Sequence, residues 1–232
     1  RMSYPDFIER DGRFFITETQ KTIARVHEIP WSILEAMWDQ FAPNPIVTHK
    51  GLVAECAGGP LEIPELPLLA HGGGFSLELS FECSAVQPWA ILFDSRDTEG
   101  KGLLVQLTDR RSVCITLCGR THAEPGGTWS CGLCSSSWET DADSISLGQQ
   151  HQIAFIADGG PKIISIVQDG QLCDGGAARQ FGWGRIHPSL RDVNGAVQGD
   201  SGSAGVRVSH VRIYSRAILT SEAVNNWRAD TA

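Results

Sequence analysis

Few residues in this 232-residue chain carry types and spacings that chemistry uses. Asp94-Ser95-Arg96-Asp97-Thr98-Glu99-Gly100 offers the hard oxygen ligands that calcium takes, with Asp94 and Asp97 as the candidate pair. The competing reading has both aspartates capping turns while Arg96 pairs with an acid. Cys114 and Cys118, followed by Cys131 and Cys134, have the short spacings of a thiolate zinc site. A disulfide, or free thiols filling a strand as small hydrophobes, are the alternatives. Glu78 and Glu82 share a strand face roughly 13 Å apart, too far for the paired carboxylates of a retaining glycosidase, so a solvated sheet face is expected for both. From Asp174 to Arg185, glycines free the backbone while Arg179, Phe181, Trp183 and Arg185 add large side chains at alternating positions. With Trp129 these are the candidate ligand-binding residues, because aromatic faces and guanidinium groups stack rings and bind carboxylates. His27, His151 and His187 lie near apolar segments and read as satisfied core or rim histidines. No Gly-x-Ser-x-Gly nucleophile turn or phosphate-cradling loop occurs.

The elements that must position these groups are short strands. Phe7–Arg10 and Phe14–Thr17 flank Asp11-Gly12 as a hairpin, and Thr22–Ile29 alternates as a third strand. Pro30 then opens a helix with Trp31, Leu34, Trp38 and Phe41 on one face, stopping at Ala42-Pro43. Beyond Ile46 the pattern is strands bounded by Gly, Pro, Asp and Ser. Those predicted are 75–82, 89–93, 103–107, 112–117, 152–157, 162–167, 171–173 and 206–214. A final helix over 220–228 is capped by Thr220 or Ser221. The expected organisation is an N-terminal appendage at residues 1–45 and an all-β sandwich domain at 46–232.

Composition narrows the function classes. With 19 Lys+Arg against 27 Asp+Glu the net charge is −8, and no basic run interleaves with aromatics, so nucleic acid is excluded as a partner. No stretch approaches the roughly 20 apolar residues of a membrane span, and the polar start lacks a signal-peptide pattern. Seven cysteines in an irregular set favour free thiols, and with the polar start they give a cytoplasmic expectation.

The order of elements resembles a concanavalin A-like (laminin-G-like) jelly roll over roughly residues 50–230. The residues that carry it are Gly73–Leu79, Leu92–Asp97, His151–Gly160, Val167–Gly176 and Val211–Leu219. That resemblance implies an antiparallel β-sandwich with a ligand face, and a structural calcium at Asp94 and Asp97 as its one cofactor candidate. Tyr4–Glu9 and Phe15–His27 resemble the last blade before such a jelly roll in bacterial sialidase-like proteins. One blade cannot form a propeller site, so sialidase activity is not carried over.

Two functional readings follow. The first is a ligand-binding jelly roll that recognises a glycan or other ring-containing small molecule on an aromatic and Arg-lined concave face. The second is a biosynthetic cyclase whose pocket is lined by Trp31, Trp38, Trp129, Trp138 or Trp183, with His122, Asp94 and Arg185 as acid/base candidates. A homo-oligomer is compatible with either.

Overall fold

The structure, a computed structural model, describes residues 5–20, 22–70, 72–85, 87–121, 133–174 and 182–232. Strands β1 (Phe7–Arg10), β2 (Arg13–Gln20) and β3 (Ile23–Ile29) form a three-stranded antiparallel sheet. Its first turn uses Asp11 and Gly12 at φ of 53° and 72°, the left-handed conformation that this dipeptide tolerates. Helix α1 (Trp31–Asp39) starts after Pro30, and Phe7, Phe14, Trp31 and Trp38 form a chain of ring contacts at 5.6, 5.5 and 5.3 Å.

The remaining strands build two sheets face to face. The first runs β10 (Leu133–Glu139), β9 (Val113–Thr121), β8 (Gly102–Leu107), β7 (Ile91–Asp94), β16 (Gln198–Ser201), β5 (Leu61–Glu62), with β15 (Leu190–Asp192) also on β9. The second runs β13 (Gln171–Leu172), β12 (Ile163–Gln168), β11 (Gln150–Asp158), β6 (Gly74–Cys83), β17 (Val206–Tyr214), β4 (Leu52–Cys56), with β14 (Gly184–Arg185) also on β12. Every paired strand is antiparallel, and the architecture is a β-sandwich.

Alternation decides which side chains meet between the sheets. Phe75, Leu77, Leu79 and Phe81 of β6 join Ile153 and Phe155 of β11 against Leu103, Val105, Leu107, Val113, Ile115 and Leu117 of β8 and β9. Each side chain of this size contributes about 1.5–3 kcal/mol on burial, so this one layer supplies most of the driving force. Helix α2 (Thr220–Thr231) closes the chain over the outer face of the second sheet. Its first turn is fixed by Glu222, whose carboxylate accepts from the Leu219 N–H at 2.7 Å, rather than by a Thr220 or Ser221 cap. Trp89, predicted to begin a strand, instead sits before β7 at φ 70° and is largely exposed. No helix among the described residues is long and apolar enough to cross a membrane.

Candidate functional site

The outer faces of the two sheets have opposite fates. On the second sheet, Ala154, Ile156, Val167 and Tyr214 point outward and pack with Ile218, Ala223 and Val224 of the α2 segment. Beneath the helix lies a polar cluster. Glu78 is 2% exposed, and its Oε1 accepts from Asn226 Nδ2 at 2.8 Å while its Oε2 accepts from Tyr214 OH at 3.3 Å. Arg212, also buried, donates to both Asp230 oxygens at 2.7 and 2.8 Å and through Nε to Glu55 at 2.8 Å. Burial pushes the Glu78 carboxyl up to about 7 despite the Asn226 hydrogen bond and the Arg212 charge. The solvated face expected for Glu78 and Glu82 therefore holds only for Glu82, which is partly exposed and pairs with Arg207 at 2.9 Å.

The outer face of the first sheet carries no helix among the described residues. Cross-strand register sets one row across it: Asp200, Asp94, Leu104, Thr116 and Ser137 lie opposite one another on β16, β7, β8, β9 and β10. A parallel row holds Gln106, Cys114 and Glu139, and a third holds Cys118 and Ser135. Thr116 and Ser137 share a hydroxyl hydrogen bond at 2.9 Å. Arg96 reaches back with Nε and Nη2 to Asp94 at 2.9 and 2.7 Å. Burial pushes the Asp94 carboxyl up, but the Arg96 hydrogen bonds outweigh it and hold Asp94 below its ordinary value. The face presents hydroxyls, a carboxamide and a neutralised ion pair around the apolar Leu104. Such a surface offers hydrogen-bonding groups of the kind a polyhydroxylated molecule uses, and burial raises the pKa of the two thiols on its described part, Cys114 and Cys118.

The predicted residues are distributed over several places. Asp97 caps its own turn, accepting from the Glu99 and Lys101 N–H groups at 2.9 Å each, while Asp94 is taken up by Arg96. Cys114 and Cys118 lie four positions apart on the open face of β9, roughly 13 Å by strand geometry. Cys134 turns to the opposite side and packs against the core. All three are free thiols, and burial raises the pKa of each, which opposes the thiolate a metal needs. No group of three or more His, Cys, Asp or Glu placed to hold a metal occurs among the described residues.

Trp183 and Arg185 are exposed on or beside β14, at the edge of the second sheet. That edge meets β10 of the first sheet: the Trp138 ring lies against Gly184, and the His187 N–H donates to Ser136 Oγ at 2.8 Å. Arg185 sits at the edge of the second sheet, whereas Asp94 lies on β7 of the first and gives both its oxygens to Arg96, so the two are not brought together as an acid/base pair. His122, Trp129, Cys131, Arg179 and Phe181 lie outside the described residues. Trp31 and Trp38 belong to α1, and Trp138 packs on the core edge, so the described tryptophans do not converge on one pocket. His151 is buried and held by Asp169 at 2.8 Å, His187 is exposed at the rim, and His27 is exposed in the small sheet. Sequence reasoning missed Gln106, Thr116, Ser135 and Ser137 as face residues. Their signal was the outward parity of polar residues in three adjacent strands.

Comparison with known proteins gives remote likenesses. No protein-family model matches the chain, and no curated protein does. Among solved structures, a Trypanosoma rangeli sialidase is similar at 12% identity and a TM-score of 0.46, covering 99% of this chain and 44% of its own. The chain therefore spans less than half the length of that protein. The CBM40 of the Ruminococcus gnavus IT-sialidase, bound to alpha2,6 sialyllactose, is similar at 12% identity and a TM-score of 0.47, covering 75% of this chain and 100% of its own. A leech intramolecular trans-sialidase matches at 15% identity and a TM-score of 0.42, over 77% of this chain and 28% of its own.

Proposed function

We propose that this chain is a ligand-binding β-sandwich that recognises a carbohydrate on the outer face of its first sheet. One observation carries the reading. Of the two outer faces, one is sealed by α2, and the other, among the described residues, is left open with a row of four polar side chains and Leu104 crossing five strands. Sugar rings need hydrogen-bond partners spaced over several ångströms and an apolar patch for their C–H faces. Thr116, Ser137, Gln106 and the free N–H groups of Arg96 supply the first, and Leu104 the second. Trp183, exposed beside β14 at the edge of the second sheet, offers an aromatic surface at the rim. The described part of the face carries hydroxyls and an ion pair; of the expected ligand-binding residues Trp183 and Arg185 are exposed on or beside β14, and Trp129, Arg179 and Phe181 lie outside the described residues. A glycan array followed by titration calorimetry tests it. Binding of at least one glycan class, competed by the free sugar, is expected; an array with no signal above background overturns the reading.

A further inference from the structure

Three carboxylates converge on one guanidinium under α2. Arg212 gives its hydrogen bonds to Asp230 and Glu55, and stands 3.6 Å from Glu78 without a hydrogen bond to it. Glu78 is left with the neutral donors Asn226 and Tyr214, which are themselves joined at 3.1 Å. The other charged groups around this cluster are already engaged. His210 of β17 shares Glu55 at 2.9 Å, Glu82 of β6 pairs with Arg207, and Glu222 of α2 pairs with Arg216 at 2.7 Å. Arg228 of α2 donates to the Gln40 carbonyl, and Gln152 of β11 is a neutral donor to Asp230. An ionised Glu78 would therefore add a second uncompensated negative charge beside Arg212, at a position where Glu78 itself is buried.

We propose that α2 is a proton-linked clasp: Glu78 holds a proton while the helix covers it and releases that proton when the helix lifts. Three of the contacts are made by α2 itself, Asn226 to Glu78 and Asp230 to Arg212 and Gln152, so lifting the helix both hydrates Glu78 and unloads Arg212. In the lifted state Glu78 is an ordinary carboxylic acid; in the docked state burial raises its pKa to about 7. The docked state binds more protons between the ordinary carboxylate range and about 7, so docking is strongest below that interval. It weakens as pH rises through it and levels off above.

Amide hydrogen exchange of the full chain, followed by mass spectrometry from pH 5 to 8.5 and corrected for intrinsic exchange, reads the opening of α2 against β11. Opening of α2 is expected to rise by at least about tenfold across that range while β11 is unchanged, since each pKa unit is worth a factor of ten. In Glu78→Gln the rise is lost and α2 is better protected at pH 8.5 than in the parent. Equal pH dependence in parent and variant, or none in the parent, overturns the clasp. Should the variant fail to fold, carboxyl 13C shifts of the parent decide: a Glu78 titration midpoint in the ordinary carboxylate range overturns it, and one near neutrality supports it.

Discussion

Glu78 and Thr116 occupy equivalent places, each an outward position in the middle of a central strand, on β6 and β9, yet one is 2% exposed and the other faces an uncovered surface. What separates them is the element above. Over β6 the chain returns as α2, which turns outward-facing polar groups into a buried network that must be satisfied group by group. Over β9 no helix returns among the described residues, and polar groups such as Thr116 and Ser137 stay at the surface. Buried polar clusters cost stability when broken, and exposed ones cost little, so substitution on the two faces should separate folding from binding.

The largest effect is expected at Arg212. Its replacement by Met keeps most of the stem but leaves Glu55, Glu78 and Asp230 facing one another without a cation. Removing one partner of a buried charged network costs about 3–5 kcal/mol. Denaturant unfolding should show that loss, and Glu78→Gln in the same background should recover part of it. A loss below about 1 kcal/mol would mean that α2 does not seal this cluster from water.

A smaller effect is expected where the two sheets meet. At Gly184 an added Cβ would lie 2.3 Å from the Trp138 ring, which closes the side of the sandwich between β14 and β10. Gly184→Ala must push the indole aside, and overpacking of this kind costs about 1–3 kcal/mol. Because that edge also carries Trp183 and Arg185, the variant should weaken glycan binding as well. Unchanged thermal stability would show that the edge yields without strain.

The contrast between the faces also marks what the sequence contained. The core strands were legible because Phe75, Leu77, Leu79 and Phe81 alternate, and Val206–Tyr214 does the same until its bulge. The small strands β5, β14 and β16 were not, since two to four residues have no period and form only because a partner edge is present. Covering of the second sheet was encoded but not read. Ile153-Ala154-Phe155-Ile156-Ala157 is apolar at every position, which is the pattern of a strand buried on both faces, and β9 by contrast alternates apolar with Cys and Thr. Applied to both strands, that difference separates the sealed sheet from the open one. The Asp94-Arg96-Asp97 loop was legible in its chemistry, because Asp at a turn start has a local backbone N–H within reach whatever the fold around it. The residues of the outer-face row were not, because their coming together depends on register among five strands.

The smallest effect on stability, and the most informative for function, belongs to the pair in the middle of that row. Thr116 and Ser137 bond to each other across β9 and β10 on a surface that water reaches, so their hydroxyls contribute little to folding. The double substitution Thr116→Val and Ser137→Ala should change the unfolding free energy by no more than about 0.5 kcal/mol, the usual range for exposed positions. If the open face holds the sugar, the same change removes two hydrogen-bonding groups from the ligand's footprint. At about 1 kcal/mol for each lost hydrogen bond, affinity should fall roughly tenfold or more. Calorimetric titration of parent and variant with the same glycan reads this directly. An unchanged affinity would move the binding site off the row and toward the Trp183 edge, whereas lost affinity with intact stability would place it where the two faces part company.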